Sequence, residues 1–200
     1  MYLVPIHLPI YKNGGELLVA SDWASALKLL RDSFDGRFGR VRFLGLSVPV
    51  EATDGSQLLE RIDPCEEIDV TPSVNLRHRA REYWLRERAR WQNNVRRYAR
   101  DADVVHSGLN DVYRPFNYDA HMVAVAEGKT TVFVRDTDTV RQVQERVAGK
   151  GLGQAIAGWT YCRLFDYMMR KGVRSASLSL LKGRSLERRY ARFARCPRVF

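Results

Sequence analysis

The sequence predicts an α/β fold with a Rossmann-like, mainly parallel sheet and helices on both faces. Three observations predict it. Short runs rich in β-branched and aromatic residues alternate with longer segments of helical periodicity along the chain, the pattern of successive βαβ units. The share of hydrophobic residues, 45%, and of charged residues, 28%, is that of an ordinary globular chain able to bury a core. No internal repeat or low-complexity tract interrupts the alternation. Two hundred residues fit one domain, read as residues 1–200.

Taken in order, "MYLVPIHLPIY" reads as a strand made irregular by Pro5 and Pro9. "KNGG" is a turn. "SDWASALKLLRDSF" is a helix with Ser21 or Asp22 as N-cap and with Trp23, Ala26, Leu27 and Leu30 at helical spacing. "GRVRFLGLSVPV" is a second strand. "EATDGSQLLERIDPCEE" reads as a loop with at most a turn of helix, and "IDVTPSV" as a third strand. A long basic helix follows, from about Asn75 to Tyr98, its apolar stripe read as Leu76, Ala80, Trp84, Ala89, Trp91 and Val95. "DVVHSG" is a fourth strand, and "PFNYDAHMVAVAE" a helix with Pro115 in its first turn. "KTTVFVRD" is the fifth strand. "GKGLGQ" reads as a linker, and "GLGQAIAGWTYCRLFDYMMRKG" as a helix stopped by Gly172. "VRSASLSLLKG" is a sixth strand, "RSLERRYARFA" a last helix, and "RVF" the beginning of a further segment.

The net charge of +10 and a pI near 9.8 point to acidic partners. The charge gathers in Arg77–Arg100 and Gly183–Arg198, where arginines interleave with aromatics. That composition fits a nucleic-acid surface or amphipathic helices with arginine on the wet face. No nucleic-acid-binding motif accompanies it, so nucleic acid is disfavoured as a partner. No apolar run reaches the ~18 residues of a membrane helix. The start has no basic n-region or cleavage site, so no signal peptide is expected. Cys65, Cys162 and Cys196 lie far apart without metal-ligand spacing, as in a reduced cytoplasmic protein without a metal centre.

An open α/β sheet places its ligand beyond the carboxyl ends of its strands. The residues expected there are Lys12, Asn13, Gly14 and Gly15; His106, Ser107, Gly108, Asn110, Asp111, Tyr113 and Arg114; Arg135, Asp136, Thr137 and Asp138; and Lys182, Gly183 and Arg184. Amides, carboxylates and hydroxyls suit a hydroxyl-rich ligand, and Arg and Lys suit phosphate. Each has a plainer reading. "NGG" is commonly a turn, a strand-end histidine is commonly structural, and Asp136 or Asp138 can cap the next helix. Phosphate-loop, dinucleotide-fingerprint and nucleophile-elbow motifs are missing.

The stretches "NGG", "DADVVHSG", "TTVFVRDTD" and "ASLSLLKGRSLERRYARF" together resemble the N-terminal, acceptor-side half of a two-Rossmann-domain (GT-B) glycosyltransferase of family-4-like type. The resemblance spans nearly the whole chain. It implies transfer of a sugar from a nucleotide-sugar co-substrate to an acceptor hydroxyl. A second, donor-binding domain, not expected within these residues, would complete the cleft, so this half alone would turn over little, with no tightly bound cofactor. Gly14 and Gly15 would let backbone approach the donor diphosphate. Asp136 would orient or deprotonate the acceptor, with His106 as a second base. Arg135 and Lys182 would offset negative charge, and Asn13, Ser107, Asn110 and Asp138 would complete the substrate-binding set. In the family the fourth strand often carries a second histidine where this chain has Gly108, and the fifth strand ends in His-Asp where this chain has Arg135-Asp136. The acceptor would be a sugar or lipid-linked molecule, and Arg77–Arg100 would give peripheral contact with an anionic membrane. The reading from a different class is a non-catalytic Rossmann-like module that holds an anionic ligand, nucleic acid or partner protein through its arginine-rich helices.

Overall fold

The computed structural model describes residues 1–34, 39–49, 58–62, 68–75 and 80–200, with side chains described outside 30–38, 50–57 and 63–79. The fold is α/β with a mixed, mostly parallel arrangement of strands, compatible with a Rossmann-like fold. The chain divides into two compact units, Met1–Val105 and His106–Phe200.

In the first unit, β1 (Tyr2–Asn13) runs the full length of its apolar segment. Both prolines are accommodated because the ladder to β3 (Val41–Pro49) shifts register between Pro5 and Pro9, where a missing N–H costs least. A two-residue turn, Gly14-Gly15, brings the chain back as β2 (Glu16–Ala20), antiparallel to β1 with Asn13 opposite Glu16. Gly14 has φ +59°, the left-handed conformation such hairpins require and only glycine adopts freely. The sequence reading passes directly from this turn into the helix. "ELLVA" instead forms a strand, and α1 (Ser21–Phe34) begins only after it. Part of "EATDGSQLLERIDPCEE" also forms a strand, β4 (Leu59–Arg61), beside β2, and Cys65 lies outside the described residues. β5 (Ile68–Asn75) pairs in parallel with β3. Neighbouring residues such as Tyr2 and Leu3, or Phe43 and Leu44, are both buried. Alternate side chains point to opposite faces of a strand, so both faces here are covered.

The basic helix is one rod built from α2 (Ala80–Glu82), a π-turn (Tyr83–Glu87) and α3 (Arg88–Ala99). Its buried row is Tyr83, Glu87, Trp91, Val95 and Ala99. This corrects the expected stripe. Leu76 lies outside the described residues, Trp91 and Val95 hold, and Trp84 is 46% exposed with Arg88 stacked on its ring. A strict spacing of four drifts around a helix of 3.6 residues per turn, and the wider π-turn absorbs part of that drift. The first two residues of β6 (Val104–Gly108) pair with Tyr2 and Leu3 in this unit.

In the second unit the remainder of β6 lies beside β7 (Thr130–Arg135), followed by β8 (Leu178–Leu181) and β9 (Pro197–Val199), the last three mutually parallel. The closing "RVF" is thus largely a paired strand. The helices are α4 (Phe116–Ala126), α5 (Thr139–Val147), α6 (Leu152–Ser175) and α7 (Gly183–Tyr190). The core gathers Leu109, Phe133, Phe165, Met169, Leu181 and Tyr190. Gly172 does not stop α6, which continues to Ser175. It is a packing glycine: a Cβ there would stand 2.6 Å from the Phe133 ring.

Candidate functional site

The first unit holds an apolar cavity of ≈ 50 Å³ among Ile6, Leu8, Pro9, Val19 and Trp23, far below the ~300 Å³ at which ligand pockets begin. The second unit holds a cleft of ≈ 620 Å³. It opens beyond the ends of β6 and β7 and continues between α5 and α6. The strand ends contribute Asn110, Arg135 and Thr137, the loop after β6 contributes Tyr113, α5 contributes Thr139, Gln142, Val143, Arg146 and Val147, and α6 contributes Gln154, Ala157, Gly158 and Tyr161, with Lys150 between the helices.

Local sequence dictates this construction. Asp138 accepts from the backbone N of Arg141 at 3.1 Å and caps α5. Its carboxylate also accepts from Ser185 and from Arg189, the latter at 3.3 Å. Asp138 is therefore the capping residue that the plainer reading allows. From the cap onward, Gln142 and Arg146 follow at intervals of four on α5 and, with Lys150 in the turn beyond it, present a polar row to the cleft. Gly158 lets α6 approach α5, since a Cβ there would meet Val147 Cγ1 at 2.8 Å.

Arg135 is 6% exposed, and its guanidinium lies over Phe165, 5.3 Å from the ring centroid. Its Nε donates to Thr137 O at 2.7 Å, Nη1 donates to Leu109 O at 2.6 Å, and Nη2 donates to Thr139 Oγ1. Burial lowers its pKa while the charges of Asp136, Tyr161, Tyr190 and Asp138 oppose the fall. Arg135 clasps the ends of β6 and β7 to the start of α5 and borders the cleft as it does so.

The other expected residues disperse. Asn110 lines the cleft. Asp136 is exposed, outside the lining, and accepts from Thr137 Oγ1 at 3.0 Å. His106 is half-buried on β6, and burial lowers its pKa to about 4, so it is neutral at ordinary pH. Ser107 points into the core, with Oγ 3.0 Å from His121 Nδ1. The His121 Nε2 lies 3.1 Å from Gly172 O and 2.9 Å from the half-buried Ser175 Oγ, so the buried imidazole has partners at both nitrogens. Gly108 has a steric reason for lacking a side chain, because a Cβ would stand 2.6 Å from Val134 O. Lys182 is exposed just before α7, its backbone N donating to Arg135 O at 2.9 Å. Asn13, Gly14 and Gly15 belong to the hairpin of the first unit. The structure therefore brings Asn110, Tyr113, Arg135 and Thr137 together at the cleft and places the rest outside its lining.

Sequence reading missed Thr139, Gln142, Arg146, Lys150, Gln154 and Tyr161. The signal that could have found Gln142, Arg146, Lys150 and Gln154 is the polar residue at every fourth position after the Asp138 cap; Thr139 and Tyr161 carry no such signal. Among the described residues the lining holds neither carboxylate nor histidine, no cluster of three or more metal-ligating side chains forms, and no helix is long and apolar enough to cross a membrane. No protein-family model matches the chain, and no curated protein matches it in sequence.

Proposed function

We propose that the chain is the acceptor-side half of a two-domain glycosyltransferase and that its second unit binds the acceptor in the sugar-transfer reaction. The observation that carries the reading is the strand-end cleft of ≈ 620 Å³, lined by the amides of Asn110, Gln142 and Gln154, the hydroxyls of Thr137 and Thr139, and two tyrosines. Amides and hydroxyls both donate and accept, as a sugar's hydroxyls require, and the volume is that of a small-ligand site. The nucleotide-sugar co-substrate would be carried opposite, on a second domain. General-base removal of the acceptor proton calls for a group within hydrogen-bond reach of the acceptor hydroxyl. Asp136, at the rim of the same strand ends, is the residue of this unit assigned that task, and an exposed aspartate can turn toward an acceptor. Peripheral contact with an anionic surface would fall to the basic rod, whose Trp84 and Leu85 are 46% and 69% exposed.

The second reading, a non-catalytic module for an anionic ligand, is favoured by one observation: Asp136 and His106 both lie outside the lining. Saturation-transfer NMR of the chain with simple glycosides tests the sugar site. Transfer to ring protons, reduced in Asn110→Ala and Gln142→Ala, is the expected result. If no glycoside receives saturation while inorganic phosphate still shifts the cleft resonances, the module reading replaces it.

A further inference from the structure

The cleft is chemically uneven along its length. At the strand end Tyr113, 53% exposed, meets Tyr161 at a ring-centroid distance of 5.5 Å, and Tyr161 is backed by Phe165 in a stacked arrangement. Tyr161 stands level with the start of α5, because the neighbouring Cys162 Sγ approaches Val140 O at 3.8 Å. At the far end of α5 stand Arg146 and Lys150, both exposed. From Thr139 to Arg146 the helix rises on the order of 10 Å at ~1.5 Å per residue. Nearby arginines have acidic partners: Arg141 bonds Glu145 at 2.7 Å and Arg189 contacts Asp138 at 3.3 Å. Among the described residues no ion pair engages Arg146 or Lys150, and the lining contains no carboxylate to neutralise them.

We infer that the cleft takes an acidic glycoside, with a sugar ring against Tyr113 and Tyr161 and an oxyanion between Arg146 and Lys150. This rests on the sugar-acceptor reading and names the class of acceptor. A pyranose presents an apolar C–H face that packs on an aromatic ring, while its hydroxyls reach Asn110, Thr139 and Gln142. One ring with a charged substituent spans most of the distance from the tyrosines to the cations, and flexible Arg and Lys side chains close the remainder. Paired cations in a partly enclosed cleft favour a phosphate or carboxylate over a neutral hydroxyl, through charge-assisted hydrogen bonds about twice as strong as neutral ones.

The test is calorimetric titration of the 200-residue chain with a panel of hexose and N-acetylhexosamine 6-phosphates, their uncharged parent sugars, and inorganic phosphate. The expected result is a sugar phosphate bound at least about tenfold more tightly than its parent sugar or phosphate alone. Arg146→Gln and Lys150→Gln, both on the exposed surface, should each weaken the sugar phosphate roughly tenfold and leave the parent sugar unchanged. Tyr113→Ala should weaken both sugars and leave inorganic phosphate unchanged. Equal binding of sugar and sugar phosphate overturns the anion inference and leaves the acceptor reading standing. Equal binding of phosphate and sugar phosphate, insensitive to Tyr113→Ala, overturns the ring half and the acceptor reading with it. No binding by any of the panel at millimolar concentration overturns both.

Discussion

Replacing Arg135 with alanine separates a structural clasp from a ligand-binding cation. In the folded chain the guanidinium supplies Leu109 O at 2.6 Å and Thr137 O at 2.7 Å. Thr137 O also accepts from the backbone N of Thr139 at 3.0 Å and keeps that partner, whereas Leu109 O, just past the end of β6, is the acceptor that the substitution strips. Losing a charged donor to a buried acceptor costs about 1–3 kcal/mol for each acceptor left unsatisfied. The contact with Phe165 adds a fraction of that. The sum is about 2–3 kcal/mol, on the order of 10–15 °C in the melting temperature of a unit of this size. Thermal unfolding followed by circular dichroism and by one-dimensional NMR of second-unit methyls is the assay. Arg135→Lys, which keeps the charge but has one donor group in place of the fork, should recover about half of the loss. If Arg135→Ala melted within about 2 °C of the parent while sugar-phosphate binding disappeared, the clasp reasoning would be refuted and Arg135 would be a ligand group.

Three further outcomes follow from the same geometry. Gly172→Ala should destabilise by about 1–2 kcal/mol in urea unfolding, because overpacking against Phe133 outweighs the ~1 kcal/mol that alanine otherwise gains within a helix; Phe133→Leu in the same chain should relieve part of the cost, and a gain in stability from the single substitution would contradict the packing role. Burial lowers the His121 pKa to about 4 against ~6.5 unfolded, so the unfolded chain binds the extra proton first: stability is full above about pH 6.5, falls by about 3 kcal/mol as pH drops to about 4, and levels off below. His106, lowered to about 4 as well, steepens the same fall, and a urea midpoint that stayed flat from pH 7 to about pH 4.5 would contradict both assignments. Asp138→Ala should cost about 1–2 kcal/mol through loss of the α5 cap, visible as faster hydrogen exchange of the Arg141 amide, and unchanged exchange there would exclude the capping role.

The sequence by itself determined that the chain is α/β with mostly parallel strands, because βαβ periodicity is a local property that each segment carries alone. It located strands within "DVVHSG", "KTTVFVRD" and "VRSASLSLLKG" and the polar turns that end them, although Val173–Ser175 of the last belong to α6 and the strand is Leu178–Leu181. It also held the alternative that Asp138 is a cap, since capping is decided within four residues. The tertiary structure decided what those turns do. Arg135 and Asp136 are adjacent in sequence, yet one is turned inward over Phe165 and the other left in solvent, because the alternation of a strand's faces acquires meaning only when a helix covers one of them. Ser107 looked like a strand-end ligand until His121, fourteen residues away, met it in the core. "ELLVA" became a strand because a two-residue glycine turn placed it beside β1, a pairing that its own composition does not demand. Gly172 reads as a stop signal in sequence, but the ring of Phe133, from another element, is what requires it. The cleft depends most on tertiary structure. Gln142 and Arg146 on α5, with Lys150 in the turn after it, are an ordinary polar surface until α6, drawn in at Gly158, supplies the opposite wall.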